Sequence, residues 1–242
     1  MPSFSLKVKQ GHTPFYRFLR RIAYAFLYPE LPVPKFLLPL ARLLYNVHFA
    51  IWNIFRRMLI VLYVVPLFRG RCESAGKSLF VFLLPHVSGP TRIQVGNNLK
   101  IFGKIGISSG LIHEEPRLVI KDNVTIGHQV SFSVNKEIVI EDDVYIAGSV
   151  RISDNDGHPR DPDDRRAGLP PPKEEIKPVR ICRNAWLGEA CFIRKGVTIG
   201  EGAIIGANSV VLNDVAPYCI AIGNPARVVG FAESKTVKKD SE

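Results

Sequence analysis

Small and aliphatic residues recur at every sixth position between Val179 and Val215. The third positions of these units are Ile181, Leu187, Ile193, Ile199, Ile205 and Val211, and the first positions are Val179, Ala185, Cys191, Val197, Ala203 and Ser209. No helix repeats at six residues with an inward pair two residues apart, whereas short strands joined by turns do. The pattern therefore predicts a coiled stack of short β-strands.

Three such units form one triangular coil of about 18 residues in a solenoid. We expect the aliphatic third position to fill the interior and the small first position to let the chain turn the corner. The fourth position is glycine at Gly188, Gly200 and Gly206, and these glycines are predicted to adopt positive φ. Residues 179–214 thus supply two whole coils without an insertion.

Earlier parts of the chain follow the same pattern less regularly. Aliphatic pairs within 120–150 match it, and 95–105 suggests an irregular first coil. We therefore predict an all-β fold, a parallel β-helix that begins between residues 75 and 95 and ends near residue 222. A proline-rich loop interrupts the repeat between Ile152 and Val179. Long insertions in a regular solenoid are where function is expected.

Residues 1–71 differ from the rest of the chain in charge and in hydropathy. They carry eleven Lys and Arg residues against the single acid Glu30, which accounts for the whole net charge of +10. Two uncharged apolar runs, 43–55 and 58–68, are separated by Arg56 and Arg57. A bilayer span needs roughly 17–25 apolar residues, and neither run alone is that long. We therefore predict helices that lie in the membrane surface, with arginine and aromatic side chains among the headgroups.

Other interpretations of residues 1–71 fit less well. A signal peptide is disfavoured because Pro29, Pro32 and Pro34 break the first apolar stretch. Nucleic-acid binding is disfavoured because the basic residues alternate with long aliphatic ones. A helical cap packed on the β-helix or on a neighbouring subunit stays open. The predicted organisation is a helical extension at 1–71, a β-helix at 72–230 with a functional loop at 153–178, and a polar tail at 231–242.

The four cysteines, Cys72, Cys182, Cys191 and Cys219, include no Cys-x-x-Cys pair. Cys182 and Cys191 fall at different positions of the six-residue unit, so no disulfide framework or zinc site is predicted. We interpret these residues as small apolar fillers in a reducing compartment. Cys191 occupies a first position and is expected to point inward, so no acyl-enzyme is expected.

Several motifs resemble those of the galactoside and maltose O-acetyltransferases. They are the Asp-Gly-His-Pro run at 156–159, Arg165, Arg166 and Gly168, the segments 177–181 and 184–188, and the closing segment 221–227. The resemblance implies a left-handed β-helix and a homotrimer. It also implies transfer of an acetyl group to a sugar hydroxyl from acetyl-CoA, a co-substrate that is not permanently bound.

The basic, apolar extension is not part of those soluble enzymes. It is similar to extensions in relatives from polysaccharide and lipopolysaccharide biosynthesis. The resemblance therefore implies an O-acetyltransferase that modifies a glycan or a lipid-linked saccharide. With the charge pattern of residues 1–71, we expect a peripheral or monotopic protein on the cytoplasmic side of the membrane.

Within this resemblance, His158 is the expected general base. A sugar hydroxyl is a weak nucleophile, and a neutral imidazole is suited to take its proton near neutral pH. Asp154 or Asp156 is expected to orient the ring, although both are equally explained as turn-forming acids in the loop.

The remaining site residues follow from the same motifs. The residues expected to bind the acceptor are Asn135, Asp154, Asp156 and Trp186. Those expected to bind CoA are Gly188, Ala190, Gly206, Ala207 and Arg227. Asn135, or its neighbour Lys136, stands where the family has a sugar-binding Asp. Trp186 occupies an outward second position and is expected to form a wall near the active site. The small residues are explained equally well by corner geometry.

Three other functions compete with O-acetyl transfer. A gamma-class carbonic anhydrase shares such a fold, but His113, His128 and His158 lack the spacing of its zinc ligands, so no metal is predicted. An aminosugar N-acyltransferase stays possible because the same base serves an amine. A membrane-bound scaffold without catalysis is the non-enzymatic alternative.

Overall fold

The computed structural model describes residues 3–28, 33–110, 112 and 115–232. Pro29, Glu30, Pro32 and His113 lie outside these residues, as does the predicted polar tail beyond residue 232. The chain divides into two compact units, Met1–Ile54 and Phe55–Glu242.

The chain begins with helices whose starts are capped by hydroxyl side chains. Ser3 caps α1 (Phe4–Gln10) and Thr13 caps α2 (Pro14–Leu27), each accepting a hydrogen bond from a backbone N–H group of the first turn. A 3-10 turn (Lys35–Leu37) leads into α3 (Leu38–Leu59), which continues through a π-helical turn (Ile60–Val64) into α4 (Val65–Arg71).

The two apolar runs of the sequence lie on one continuous helix, not on two separate ones. Among the described residues, the helix Lys35–Arg71 is the one that is long and apolar enough to cross a membrane, by length and composition. Arg56 and Arg57 fall inside it, near the end of α3. In the sequence the arginine pair divides the two runs, but arginine is a good helix former and does not end a helix.

Short strands then form a coiled stack in which each of six coils, within the described residues, contributes three strands. The first three coils contain β1 (Ser74–Ala75), β2 (Phe80–Val81), β3 (His86–Ser88), β4 (Arg92–Val95), β5 (Lys100–Ile101), β6 (Gly106–Ser108), β7 (Arg117–Ile120), β8 (Thr125–Ile126) and β9 (Ser131–Ser133). The next three contain β10 (Glu137–Ile140), β11 (Tyr145–Ile146), β12 (Arg151–Ser153), β13 (Val179–Ile181), β14 (Trp186–Leu187), β15 (Phe192–Ile193), β16 (Thr198–Ile199), β17 (Ile204–Ile205) and β18 (Val210–Val211).

Every third strand belongs to the same sheet, so the stack has three flat faces. Face one contains β1, β4, β7, β10, β13 and β16, and face three contains β3, β6, β9, β12, β15 and β18. Face two contains β2, β5, β8, β11, β14 and β17, followed by β19 (Cys219–Gly223) and β20 (Ala226–Phe231). All pairings are parallel except β19 with β20, which pair antiparallel. The predicted parallel β-helix is confirmed.

The predicted inward columns are also confirmed. The six third positions from Ile181 to Val211 are at most 1% exposed, and the first positions Val179, Ala185, Cys191, Val197 and Ala203 are equally buried. At Ser209 the buried hydroxyl accepts a hydrogen bond from the Gly223 N–H group, which satisfies the one polar first position.

The expectation of positive φ at the fourth position is wrong. Positive φ falls at the sixth position, as at Asn184, Ala190 and Gly202. The fourth-position glycines are required for a different reason: the next coil lies directly against them and leaves no room for a Cβ atom. A Cβ atom on Gly188 would lie 2.6 Å from the carbonyl oxygen of Ile205. The fourth position is therefore small because adjacent coils approach closely, not because of backbone conformation.

The first coil starts at Ser74, one residue before the predicted range, and helix α4 closes its open end. Phe68 is 1% exposed and belongs to the same apolar core as the strands. The Arg69 guanidinium donates to the Ala75 and Gly76 carbonyls, and that of Arg71 donates to the Gly89 and Thr91 carbonyls. The helical-cap alternative therefore holds for the last part of the N-terminal extension.

Candidate active site

Two long segments leave the β-helix at the same corner, between face three and face one. We call it the loop corner. On the second coil the chain leaves this corner after Ser108 and returns at Arg117, and on the fourth it leaves after Ser153 and returns at Val179. The third coil turns there tightly through 134–136. Both insertions therefore flank one short turn.

The inserted loop is held by its own contacts. It contains α5 (Pro162–Arg166), which is capped by Asp161, and a 3-10 turn (Lys173–Glu175). The Arg165 guanidinium donates to the carbonyls of Pro159 and Arg160, the two residues after His158. This contact fixes the backbone on which the histidine sits.

Asp156 ties the loop to the fifth coil. Its carboxylate pairs with Arg194 and lies 2.5 Å from the Lys195 Nζ atom. Lys195 is only 12% exposed and also reaches Glu175, 3.6 Å away at the far end of the loop. Asp156 is therefore an anchor of the loop, and the expectation that it orients the His158 ring is not met in this structure.

Asp154 is a buried anchor of the neighbouring coil. Its carboxylate accepts hydrogen bonds from the backbone N–H groups of Asn135, Lys136 and Glu137 at 2.6–3.0 Å and from the Asn155 amide at 2.9 Å. Its own carbonyl accepts from the Lys177 N–H group. Burial raises the pKa of the Asp154 carboxyl, and these donors act in the opposite direction.

The Asp154 carboxylate bonds to the neighbouring coil and not to His158. Like Asp156, it therefore anchors the structure and does not orient the imidazole ring. The His158 side chain is exposed. Within the part of the chain that the structure describes, its ring makes no hydrogen bond or ion pair. Its nitrogens are therefore available to a substrate.

His158 lies at a cleft of about 510 Å³ in the loop corner. The floor consists of hydroxyl, amide and glycine residues of three coils, and the wall is the far limb of the inserted loop. The lining residues are Ser108, Ser109, Gly110, Ile112, Ser133, Asn135, Asn155, Gly157, His158, Gly168, Leu169, Pro170 and Pro171. The cleft therefore joins a titratable imidazole to hydrogen-bonding groups that suit a polar ligand.

Asn135 lies where the sequence predicts an acceptor contact. It is 5% exposed and lines the cleft, and its Oδ1 atom accepts a hydrogen bond of 2.6 Å from the Gly110 N–H group. The Nδ2 atom has no hydrogen-bond partner within the described residues. The structure thus brings Asn135, Asp154, Asp156 and His158 to one corner.

Four of the five residues assigned to CoA lie at a different corner. Gly188, Ala190, Gly206 and Ala207 sit between face two and face three, which we call the glycine corner. Ala190 has φ of 56°, and Gly188 makes room for the next coil, so corner geometry explains both. Ala207 is exposed and free of such a constraint.

Trp186 and Arg227 do not approach His158 within one chain. Trp186 is 49% exposed on face two, between Tyr145 and Ile204 of the neighbouring strands. In a three-sided stack this face is opposite the loop corner, so Trp186 is not a wall beside the histidine of its own chain. Arg227 is exposed in β20, where its guanidinium contacts the Ala226 carbonyl.

Sequence reasoning missed the floor of the cleft. Ser88, Ser108, Ser133 and Ser153 form one in-register column on face three, and the two middle serines line the cleft. Because the first coils vary in length, their register is not readable from the sequence. The Lys195 and Glu175 anchors were missed as well, since ion pairs between a loop and a distant coil leave no local pattern.

Thiols are not placed for covalent chemistry in the described cleft. Cys191 is fully buried, and burial raises the pKa of its thiol to about 12. Burial likewise raises the pKa of Cys72 to about 11. A thiolate, not a thiol, is the nucleophile, so these cysteines are fillers as predicted. His128 also has a packing role, because its ring lies against the backbone of Gly148.

Comparison with known proteins identifies the family. Residues 178–213 match the family described as bacterial transferase hexapeptide, six repeats. A provisionally named acetyltransferase of Saccharomyces cerevisiae is 37% identical over 51% of this chain and 59% of the yeast protein. The galactoside O-acetyltransferase of Escherichia coli K12 is 31% identical over 67% of this chain and 83% of that enzyme. The chain belongs to the hexapeptide-repeat acyltransferases.

The resemblance drawn from the sequence motifs is thereby confirmed. Among solved structures, this hexapeptide-repeat acyltransferase is similar to AntD, an N-acyltransferase of Bacillus cereus in complex with dTDP and 3-hydroxybutyryl-CoA. The TM-score is 0.56 at 20% identity, over 73% of this chain and 92% of AntD, which supports the fold. The chain spans 59% of the yeast relative's length, so that similarity does not extend over the whole of that protein.

We predict that Asp154→Asn destabilises the protein by about 2–4 kcal/mol, because an amide would turn its own N–H donors toward backbone donors. Chemical denaturation measures the change. Asp163→Asn is the matched control, since Asp163 is 79% exposed and pairs only with Arg166 among the described residues. Equal stabilities of the two variants would show that the hydrogen bonds to the Asp154 carboxylate do not stabilise the loop corner.

Proposed function

We propose that this protein is an O-acetyltransferase that moves an acetyl group from acetyl-CoA to a saccharide hydroxyl. The observation that carries the proposal is the exposed His158 imidazole, free of protein partners within the described residues, at a cleft of hydroxyl and amide groups. Membership of the hexapeptide-repeat acyltransferases supports the reaction class.

The proposed chemistry is direct transfer with His158 as general base. The acceptor oxygen attacks the thioester carbonyl carbon while a ring nitrogen of His158 takes the hydroxyl proton. The carbon–sulfur bond then breaks, and the proton passes to the CoA sulfur, which leaves as the thiol. The products are an acetyl ester and CoA. The high pKa of Cys191 supports a reaction without an acyl-enzyme.

Asn135 and the loop anchors provide the positioning. The Asn135 amide faces the acceptor, and Asp154 and Asp156 hold the two backbone segments that carry Asn135 and His158. Rigid placement of the acceptor and the base is a large part of what such a site contributes to rate.

We also propose that donor and acceptor groups meet between copies of the chain in a homotrimer whose subunits are left-handed β-helices. Within one chain, the glycine corner and the loop corner are separate edges of the β-helix. If the glycine corner of one copy adjoins the loop corner of the next, Gly188, Ala190, Gly206 and Ala207 line the CoA pantetheine arm. Arg227 then faces its phosphates, and Trp186 approaches the site from the partner.

Exposed apolar residues on face two support packing against a second copy. Face two ends in Ile222, Val228, Val229 and Phe231, which are 47–73% exposed. With Tyr145 and Trp186, these side chains extend from the fourth coil to the end of the β-helix. Contiguous exposed apolar surface of this kind marks an interaction site.

For the N-terminal unit we propose a place on the cytoplasmic side of a membrane, where acetyl-CoA is present. Helix α2 carries Phe15, Phe18, Ile22 and Phe26 as an apolar stripe at helical spacing, and these side chains are 51–85% exposed. Arg17, Arg20 and Arg21 lie on the same short helix. An amphipathic basic helix of this kind binds in the interface of anionic lipids.

His158→Ala is expected to lower acetyl transfer about 10²–10⁴-fold, the usual contribution of a general base. Release of CoA thiol in the presence of saccharides measures the rate. The control is His86→Ala, because His86 is exposed on the first coil outside the cleft. Equal rates of acetyl transfer for wild type and His158→Ala would refute the role of His158 as general base. Faster turnover of aminosugars than of their hydroxyl counterparts would favour the N-acyltransferase.

Subunit complementation tests the shared site. His158→Ala and Ala207→Trp are each expected to be inactive alone, the second because it fills the proposed CoA groove. Co-expressed with different tags and purified through both, mixed trimers should regain about one third of wild-type activity, since one interface in three then carries both intact halves. Absence of any recovery would indicate that each chain holds a complete site.

Membrane association is tested by removing residues 1–54. The truncated protein keeps Ile60 and Phe68, which cover the first coil, so it is expected to fold. It should no longer co-sediment with vesicles containing anionic lipid, whereas the full chain should. A variant with Gln at Arg17, Arg20 and Arg21 should lose affinity for anionic vesicles only. If the truncated protein sediments with vesicles like the full chain but has a different oligomeric mass, residues 1–54 would instead contact a neighbouring subunit.

A further inference from the structure

The helix that closes the first coil lies across the end of the β-helix. The Arg56 guanidinium lies 5.2 Å from the centroid of the Phe82 ring, and the Arg71 guanidinium donates to the Thr91 carbonyl at 3.1 Å. Phe82 follows β2 at the glycine corner, whereas Thr91 follows β3 at the loop corner. At 1.5 Å per residue, residues 56–71 are about 24 Å long, which is enough to reach from one corner to the other. This part of the helix therefore lies flat over the stack and not along its axis.

The two sides of this helix have different surroundings. Phe68 is buried in the core of the β-helix, and Val64 and Val65 pack against that core. The side chains turned away from the core are large, apolar and 44–71% exposed. They are Met58, Leu59, Val61, Leu62, Tyr63 and Leu67, which we call the cap face.

An apolar outer surface is the opposite of what a closing element needs in water. Units that end a solenoid carry a polar outer face, because an apolar one would leave the end of the stack prone to association. Leu83 and Leu84, directly after the Phe82 ring that Arg56 covers, extend the exposed apolar surface onto the first coil. Exposed apolar surface of this extent marks an interaction site.

The charges around the cap face favour a lipid surface over a second copy of the chain. Residues 55–72 contain four arginines and no acidic residue. Arg69 and Arg71 donate to backbone carbonyls of the first coil, so these bonds leave their positive charge unbalanced. Glu73, the next acid along the chain, pairs with Arg92. Two caps packed end to end would bring like charges together, whereas anionic headgroups would balance them.

We propose that the cap face lies on the surface of an anionic membrane, so that the β-helix stands on that surface with its first coil nearest the lipid. This inference rests on the proposed membrane association of the N-terminal unit. It adds a second contact, which belongs to the β-helix unit itself and sets its orientation.

Helix α2 and the cap face have different parts in this arrangement. Once α2 has bound lipid, the cap face meets the membrane at high effective concentration, and the two contacts strengthen each other. A single weak anchor gives only marginal binding, so stable attachment needs both. A chain without residues 1–54 keeps the cap face alone and is therefore still expected to leave the vesicles.

The orientation also fixes the height of the active site above the membrane. His158 follows β12 on the fourth coil, and three coil spacings of roughly 4.7–4.9 Å separate that coil from the first. With a helix about 10 Å across beneath the first coil, His158 lies about 25 Å from the lipid surface. The site then opens to the aqueous phase that contains acetyl-CoA.

Quenching by nitroxide-labelled lipids tests the orientation in the full chain. A fluorophore is attached through Leu62→Cys on the cap face or through Leu212→Cys, which replaces an exposed leucine after β18 on the sixth coil. Cys72 and Cys182, the two cysteines that are not buried, are changed to Ser in both proteins. On vesicles that contain anionic lipid, a nitroxide at headgroup level should quench the label at position 62 and leave the label at position 212 unchanged.

Affinity provides a second readout. Leu62→Gln is expected to weaken binding of the full chain to anionic vesicles at least about tenfold, because one leucine side chain no longer enters the lipid. Leu212→Gln is the matched control and should bind like wild type, since the same change is made at an exposed leucine on the opposite end. Both positions lie outside the core, so chemical denaturation should give both variants the stability of wild type.

The outcomes separate this inference from the proposals on which it rests. If the full chain binds vesicles but the label at position 62 is not quenched, or both labels are quenched alike, the orientation is wrong and attachment through α2 stands. Equal vesicle affinities of Leu62→Gln and Leu212→Gln would also overturn it. An altered oligomeric mass of Leu62→Gln with wild-type vesicle affinity would assign the cap face to a second copy. Failure of the full chain to bind vesicles would refute the membrane association and this inference together, and would leave acetyl transfer unaffected.

Discussion

Inward-facing aliphatic side chains stack in register from one coil to the next, and this stacking sets the position of everything outside. On face one, Ile120, Ile140, Ile181 and Ile199 are successive partners in a single buried column. A shift of one residue would turn such a column outward, so the burial of apolar area strongly specifies the register. The rigid core then allows the corners to carry insertions without loss of the fold.

The loop corner shows how insertions on such a core become a site. The chain leaves the stack after β6 on the second coil and after β12 on the fourth, and the tight turn of the third coil between them presents Asn135. Asp154 joins that turn to the base of the loop through its buried carboxylate, and Asp156 joins the loop to the fifth coil through Lys195. The two acids therefore leave the histidine free and fix the surfaces on either side of it.

The long helix serves two different needs along its length. Its last part buries Ile60 and Phe68 and covers the open end of the stack, where the first coil would otherwise expose its interior. Its earlier part exposes side chains such as Leu43, Leu44 and Ile51, which are 58–63% exposed. The basic and apolar extension thus combines a structural cap with an exposed apolar surface, which is the part that we propose contacts lipid.

Some features of the fold could be predicted from the sequence and others could not. The column from Ile181 to Val211 and the inserted loop with His158 were read directly from the six-residue period, because a regular solenoid repeats its interior contacts locally. The repeat also singles out Gly188, but the predicted reason, positive φ, is wrong. The close approach of the next coil depends on residues distant in the sequence, whereas positive φ depends on the backbone conformation of the residue itself.

The coiled core, the N-terminal charge and the histidine in its loop follow from the amino-acid sequence alone, since each depends on periodicity, composition or a short motif. Three other facts are visible only in the folded chain: Asp154 and Asp156 are anchors, Trp186 lies on the opposite face, and Ser108 joins His158 in one cleft. Those facts depend on which coils lie side by side. Coil lengths before residue 179 vary, so that alignment emerges only when the inward columns are stacked.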